Sequence, residues 1–167
     1  MMNVRIEELT AYLNALTSAN SSGYKCDREI AEVIKELRRE LSLSSDCEYK
    51  YRLAILTLTG DADSGFVSTN NLVFATYAND KSPHSDIYFP RWSGVTTSLA
   101  ALAMAFDDVV FIADEGTALK YAHKRIISAN QPLRGRHFET VVLDSCVEHS
   151  VLIGVNYKRM IKAYQFE

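Results

Sequence analysis

Apolar residues recur at helical spacing through the first forty positions. Ile6, Leu9, Leu13 and Leu16 share one face of a helix over residues 3–18, with Arg5, Glu7 and Glu8 on the wet side. The small polar run from Ser18 to Gly23 breaks it. Ile30, Ile34, Leu37 and Leu41 form the stripe of a second helix over residues 27–41, with Asp27 as N-cap and Glu29 near its positive end. The pattern predicts an N-terminal helical hairpin over residues 1–42, its stripes packed on the rest of the domain. The same stripes would also serve a partner or a dimer interface.

The run from Ser42 to Asp46 marks a boundary, and a core domain over residues 46–167 follows. Tyr49 to Thr59 alternates weakly and reads as a strand, and Gly60 to Gly65 as a turn. Phe66 to Tyr77 reads as one strand broken at Asn70-Asn71, or as two. Ile87 to Trp92 is a short extended piece whose Pro90 suits a sheet edge. Alanine and leucine between Thr96 and Phe106 favour a buried helix capped by Ser93 or Thr96. A strand from Asp108 to Ala113, a helix from Ala118 to Asn130 and a strand from Phe138 to Leu143 come next. Ser150 to Phe166 fits either a strand throughout or a strand and a terminal helix. The expected class is α/β or α+β: a mixed sheet with packed helices and an N-terminal helical hairpin.

Composition adds exclusions. Of 167 residues, 47% are hydrophobic and 23% charged, which is a globular composition and rules out a fibrous or disordered chain. A net charge of −3 opposes broad phosphate-driven nucleic-acid binding. Cys26, Cys47 and Cys146 are odd in number and lack C-x-x-C spacing, so a reducing cytoplasmic setting is expected, with no disulfide framework and no metal knuckle. The N-terminus lacks the apolar region of a signal peptide, and the longest apolar runs fall short of the ~20 residues of a membrane span.

The strand ending at Ala113 runs into Asp114-Glu115-Gly116-Thr117, the one place where local structure and useful chemistry coincide. At the C-terminal end of a parallel strand, Asp114 or Glu115 would act as base or hydroxyl ligand. Thr117 and Lys120 would complete an anion or ribose site, with Arg134 or Arg136 as phosphate clamp. The same residues also suit any strand-to-helix turn, as cap and dipole partners. The segment Asp108 to Ala118 resembles the late strand–turn–helix of nucleoside deoxyribosyltransferase-like Rossmannoid proteins. In that family a catalytic Glu follows a Gly-Thr-Ala helix start, whereas here Lys120 occupies roughly that place. The resemblance implies a Rossmannoid fold and a nucleotide-like ligand.

Other groupings are weaker. Lys120, Lys124, Arg125, Arg134 and Arg136, with His123 and His137, form an acid-free basic run that would grip phosphate, RNA or an acidic surface. Asp61 and Asp63 fit a polar turn better than a cation loop. Gly65 to Thr69 resembles the serine–threonine strand of ADP-ribosyltransferases but lacks a suitably placed Arg and a Glu-x-Glu. The pairs His84-Ser85 and His149-Ser150 lack the spacing of two-histidine phosphoesterases. Cys146 and His149 would form a thiol–imidazole pair only if the fold joined them. Tyr88, Phe89, Arg91 and Trp92 would anchor a protein partner if exposed and would be core if buried; core is the preferred reading.

No set meets the spacing of an acid–base, nucleophilic or metal mechanism, so no cofactor and no metal site is expected. The expected function is that of a small cytoplasmic, non-catalytic accessory protein that binds a protein partner or a second copy of itself. The alternative is a nucleotide-like ligand site at the Asp114–Lys120 turn, for binding or cleavage. RNA binding through Lys120–Arg136 ranks third.

Overall fold

The computed structural model describes residues 3–43, 46–60 and 67–166. Most of the turn expected over Gly60 to Gly65, the expected strand start at Phe66 and part of the expected boundary, at Ser44-Ser45, lie outside these residues. The chain divides into two compact units, Met1–Val67 and Ser68–Glu167.

The first unit holds three helices: α1 (Val4–Ser21), α2 (Asp27–Leu43) and α3 (Cys47–Thr59). The two expected helices are present. The expected strand over Tyr49–Thr59 is instead α3. Its signals are the ends: Asp46 accepts from the Glu48 amide at 2.9 Å as N-cap, and Gly60 closes the helix at φ +69°. Tyr49, Leu53 and Leu56, at i, i+4 and i+7, join Ile6, Leu9, Leu13, Val33, Leu37 and Leu41 in one core. Arg52 ties α3 to α1, donating to Glu7 at 2.7 Å and to Thr10 at 2.9 Å.

The second unit opens with α4 (Val67–Asn79), where strands were expected. Asn70, Val73, Phe74 and Tyr77 recur at helical spacing; Asn70 is bonded to Ser98, and Phe74 and Tyr77 stack on Phe106. β-branched and aromatic residues had suggested a strand, and packing on one helical face overrides that propensity. The remaining elements are β1 (His84–Pro90), α5 (Val95–Ala105), β2 (Val109–Ala113), α6 (Glu115–Tyr121), β3 (Ile126–Ser128), β4 (His137–Leu143), a 3-10 turn (His149–Leu152) and β5 (Asn156–Phe166). The helix expected to reach Asn130 stops at Tyr121, where Ala122 turns left-handed at φ +47°, and Ile126–Ser128 pairs with β2. The ambiguous last segment is the 3-10 turn followed by an 11-residue strand.

The class is α/β. The five strands run in the order β1-β5-β4-β2-β3, and every pairing is parallel rather than mixed. Apolar runs such as Val109–Ala113 suit strands covered on both faces. Val110, Ile112, Val141, Leu143 and Met160 meet Leu133, Val147, Leu152 and Val155 from the loops on one face. Phe111, Val142 and Ile161 alternate onto the other and are fully buried. Two arginines cap helices through half-buried bonds: Arg159 donates to Thr76 O and Tyr77 O of α4, and Arg125 to Ala103 O and Met104 O of α5. Among the described residues, no helix is long and apolar enough to cross a membrane.

Phe111 lies in the middle of β2 with no solvent exposure. Phe111→Ala is expected to cost about 3–5 kcal/mol in the full chain, measured by urea unfolding.

Candidate functional site at the β2–β4 rim

The strand order fixes where a site can form. The connections from β1 to β2 and from β2 to β3 run one way across the sheet; those from β3 to β4 and from β4 to β5 run back. The chain leaving β2 therefore diverges from the chain leaving its neighbour β4. A crevice opens between the C-terminal ends of these two strands, the place where open parallel sheets take ligands.

Two aspartates stand there. Asp114 follows the last residue of β2 and Asp144 the last residue of β4, and Ile112 is in register with Leu143. The ligand atoms of Asp114, Asp144 and Cys146 all lie within 4.8 Å of one another. This oxygen–oxygen–sulfur set suits a divalent cation, or the hydroxyl groups of a bound molecule.

The two carboxyls are shifted in opposite directions. Asp114 caps α6: its oxygens accept from the Thr117 hydroxyl at 2.7 Å and the Thr117 amide at 3.0 Å. These two bonds hold its carboxyl below the ordinary range. Asp144 is buried, with 3% of its surface exposed. It accepts from the Ser145 amide at 2.8 Å and from Thr96 at 3.3 Å. Burial, reinforced by the neighbouring Asp114 charge, pushes its carboxyl up.

Lys162, buried on β5, directs its ammonium at the same loop. It donates to Asp144 O at 2.6 Å and Ser145 O at 3.2 Å, and burial lowers its pKa. The bonds pin the turn that carries Asp144 and Cys146. Thr96 belongs to the first turn of α5, whose N-cap is Gly94 at φ +75°, without a side-chain cap bond. The Ser93 and Thr96 caps expected from the sequence do not form there. The Ser93 hydroxyl is buried and finds no hydrogen-bond partner among the described residues.

The other expected site residues are dispersed. Glu115 lines a groove of about 490 Å³ with Leu119, His123, Lys124, Asn130 and Gln131, along α6 and β3. Lys120 lies over the Tyr121 ring. Arg134 and Arg136 precede β4, at the opposite end of the strands from Asp114, so neither serves as its phosphate clamp. Arg134 packs against Gly154, and Arg136 lies over the Phe138 ring. With Arg125 engaged on α5 and bonded to Asp107 at 3.0 Å, the basic run is not one continuous patch. Cys146 and His149 do not pair: Cys146 contacts Asp114 at 3.7 Å, and His149 contacts Tyr164. The Cys146 thiol is also pushed up by burial and by Asp144 and Asp114, which opposes a thiolate nucleophile. In the aromatic segment, Phe89 is buried, whereas Trp92 is 87% exposed and Tyr88 59%.

Sequence reasoning located Asp114 and missed Asp144, Thr96 and Lys162. A legible signal existed for two of them. Asp144 ends an apolar strand just as Asp114 does, and Lys162 is a lone cation in the run Met160–Tyr164. Comparison with family models, curated proteins and solved structures finds no significant match.

The raised carboxyl sets a pH signature. An Asp whose folded pKa exceeds its unfolded value of ~3.9 adds stability below that value and loses it as pH rises through the folded pKa. Asp144→Asn mimics the neutral form, so the variant is expected to gain stability relative to wild type as pH rises from about 4 through the range in which Asp144 ionises. Paired thermal unfolding across that range checks the sign.

Proposed function

We propose that the second unit is a small-ligand-binding α/β domain of Rossmannoid type, and that its site is the rim between β2 and β4. The observation that carries this reading is the coincidence of the topological switch point with Asp114 and Asp144. Asp114 supplies a charged acceptor for a ligand hydroxyl or a bound cation. The first turn of α5, without a side-chain cap and bearing Thr96 and Thr97, supplies amide donors for an anionic group. Acceptors and anion donors on one rim suit a nucleotide-like molecule, which joins hydroxyls to a phosphate. Asp144, pushed towards its neutral form, is the candidate proton donor should the ligand be cleaved.

A screen of nucleotides and nucleotide sugars by thermal shift tests this reading. A compound at 100 times its Kd is expected to add about 2.7 kcal/mol of stability. The gain should vanish in Asp114→Asn/Asp144→Asn, judged against that variant's own baseline. No stabilisation by any compound, or an equal gain in the variant, contradicts it.

A second reading is an accessory protein of the reducing cytoplasm that binds a protein partner through Tyr88, Arg91 and Trp92. It rests on the exposure of Trp92, held out at φ +60° next to the β1 edge. If it holds, Trp92→Ala abolishes capture of the partner by the full chain while leaving the melting temperature unchanged. Undiminished capture contradicts it.

A further inference from the structure

The two His-Ser pairs, separated by 63 intervening positions in the chain, meet in space. His84 opens β1 and His149 opens the 3-10 turn after β4. Their rings lie 5.2 Å apart, centroid to centroid, inclined at 61°. β1 and β5 place His84, Asp86 and Tyr88 in register with Met160, Lys162 and Tyr164, so these side chains share the sheet face on which the 3-10 turn packs.

Each imidazole has one nitrogen engaged. His84 Nε2 bonds Asp86 Oδ1 at 2.7 Å, and His149 Nε2 meets the Tyr164 hydroxyl at 3.3 Å. Among the described residues, Nδ1 of neither ring has a hydrogen-bond partner. A ring nitrogen oriented by a carboxylate or another oxygen, with the second nitrogen free, is the arrangement that prepares histidine for metal. The spacing agrees. Two imidazoles bound to one tetrahedral ion at ~2.0–2.1 Å per bond hold their centroids about 5 Å apart.

We propose that His84 and His149 bind one divalent transition-metal ion, of which Zn²⁺ is the representative, through their Nδ1 atoms. Asp86 and Tyr164 are positioning residues that fix the two rings. Imidazole donors select Zn²⁺, Ni²⁺ or Cu²⁺ over Mg²⁺ and Ca²⁺, and solvent fills the remaining positions at this exposed site. Lys162 lies over the Tyr164 ring but directs its ammonium to Asp144 O and Ser145 O. The assignment is independent of the β2–β4 rim.

Titration of the full chain with Zn²⁺, followed by calorimetry and by the imidazole ¹⁵N resonances, tests it. The expected result is one equivalent that shifts His84 and His149 and neither His123 nor His137, whether or not the β2–β4 rim takes a second. His84→Ala and His149→Ala should each abolish this binding, and Asp86→Asn should weaken it about 10- to 100-fold. Both histidines are exposed, so the melting temperatures of the metal-free variants should match wild type. Binding that persists in His84→Ala/His149→Ala and disappears in Asp114→Asn/Cys146→Ser would overturn the assignment, as would no binding by wild type.

Discussion

The parallel pairing of β2 with β4 is the constraint on which the functional architecture rests. It sets two apolar strands side by side in the sheet and ends both at the same level. The connections after them diverge, because β3 lies on one side and β5 on the other. The residues that follow the two strands meet across this gap. In this chain both positions hold aspartate. The adjacency is a consequence of topology: 29 residues separate Asp114 from Asp144 in the chain, and only the strand order joins them.

The surroundings make the two carboxylates unequal. Asp114 has charge-stabilising donors from its own helix start, whereas Asp144 is sunk beneath Thr96 with burial as its dominant influence. Two carboxylates this close disfavour simultaneous ionisation, and burial makes Asp144 the one that holds its proton to higher pH. Lys162 does not neutralise Asp144 through a direct carboxylate bond, since its ammonium is engaged by two main-chain carbonyls. It keeps the rim loop in place while leaving the carboxylates available. A carboxyl raised by burial costs stability when it ionises, a pattern common at functional sites.

The parts of the fold that were legible in the sequence are those with a single strong period. The α1 and α2 stripes, the alanine-rich α5, and the apolar runs of β2 and β4 all form where the pattern puts them. Tyr49–Thr59 and the segment up to Tyr77 misled because β-branched and aromatic residues carry strand propensity, while their burial follows a 3.6-residue period. The Asp46 and Gly60 caps were the better guide to α3. The sequence pattern runs α6 and β3 together as one long helix, because nothing at Ala122 announces its left-handed turn. The site was half legible. Asp114 declares itself through the Asp-Glu-Gly-Thr turn, but its partners lie on three other elements, and strand order cannot be read from one sequence. The His84–His149 approach was hidden for the same reason.

The rim holds two neighbouring carboxyls whose surroundings shift their protonation in opposite directions. The most direct measurement is a ¹³C titration of the side-chain carboxyls of Asp114 and Asp144 in the full chain. The account predicts that Asp114 titrates below the ordinary aspartate value of ~3.9 and Asp144 above it, each sensing the other's ionisation. Two carboxyls that titrate together at the ordinary value, or in the reverse order, would contradict it.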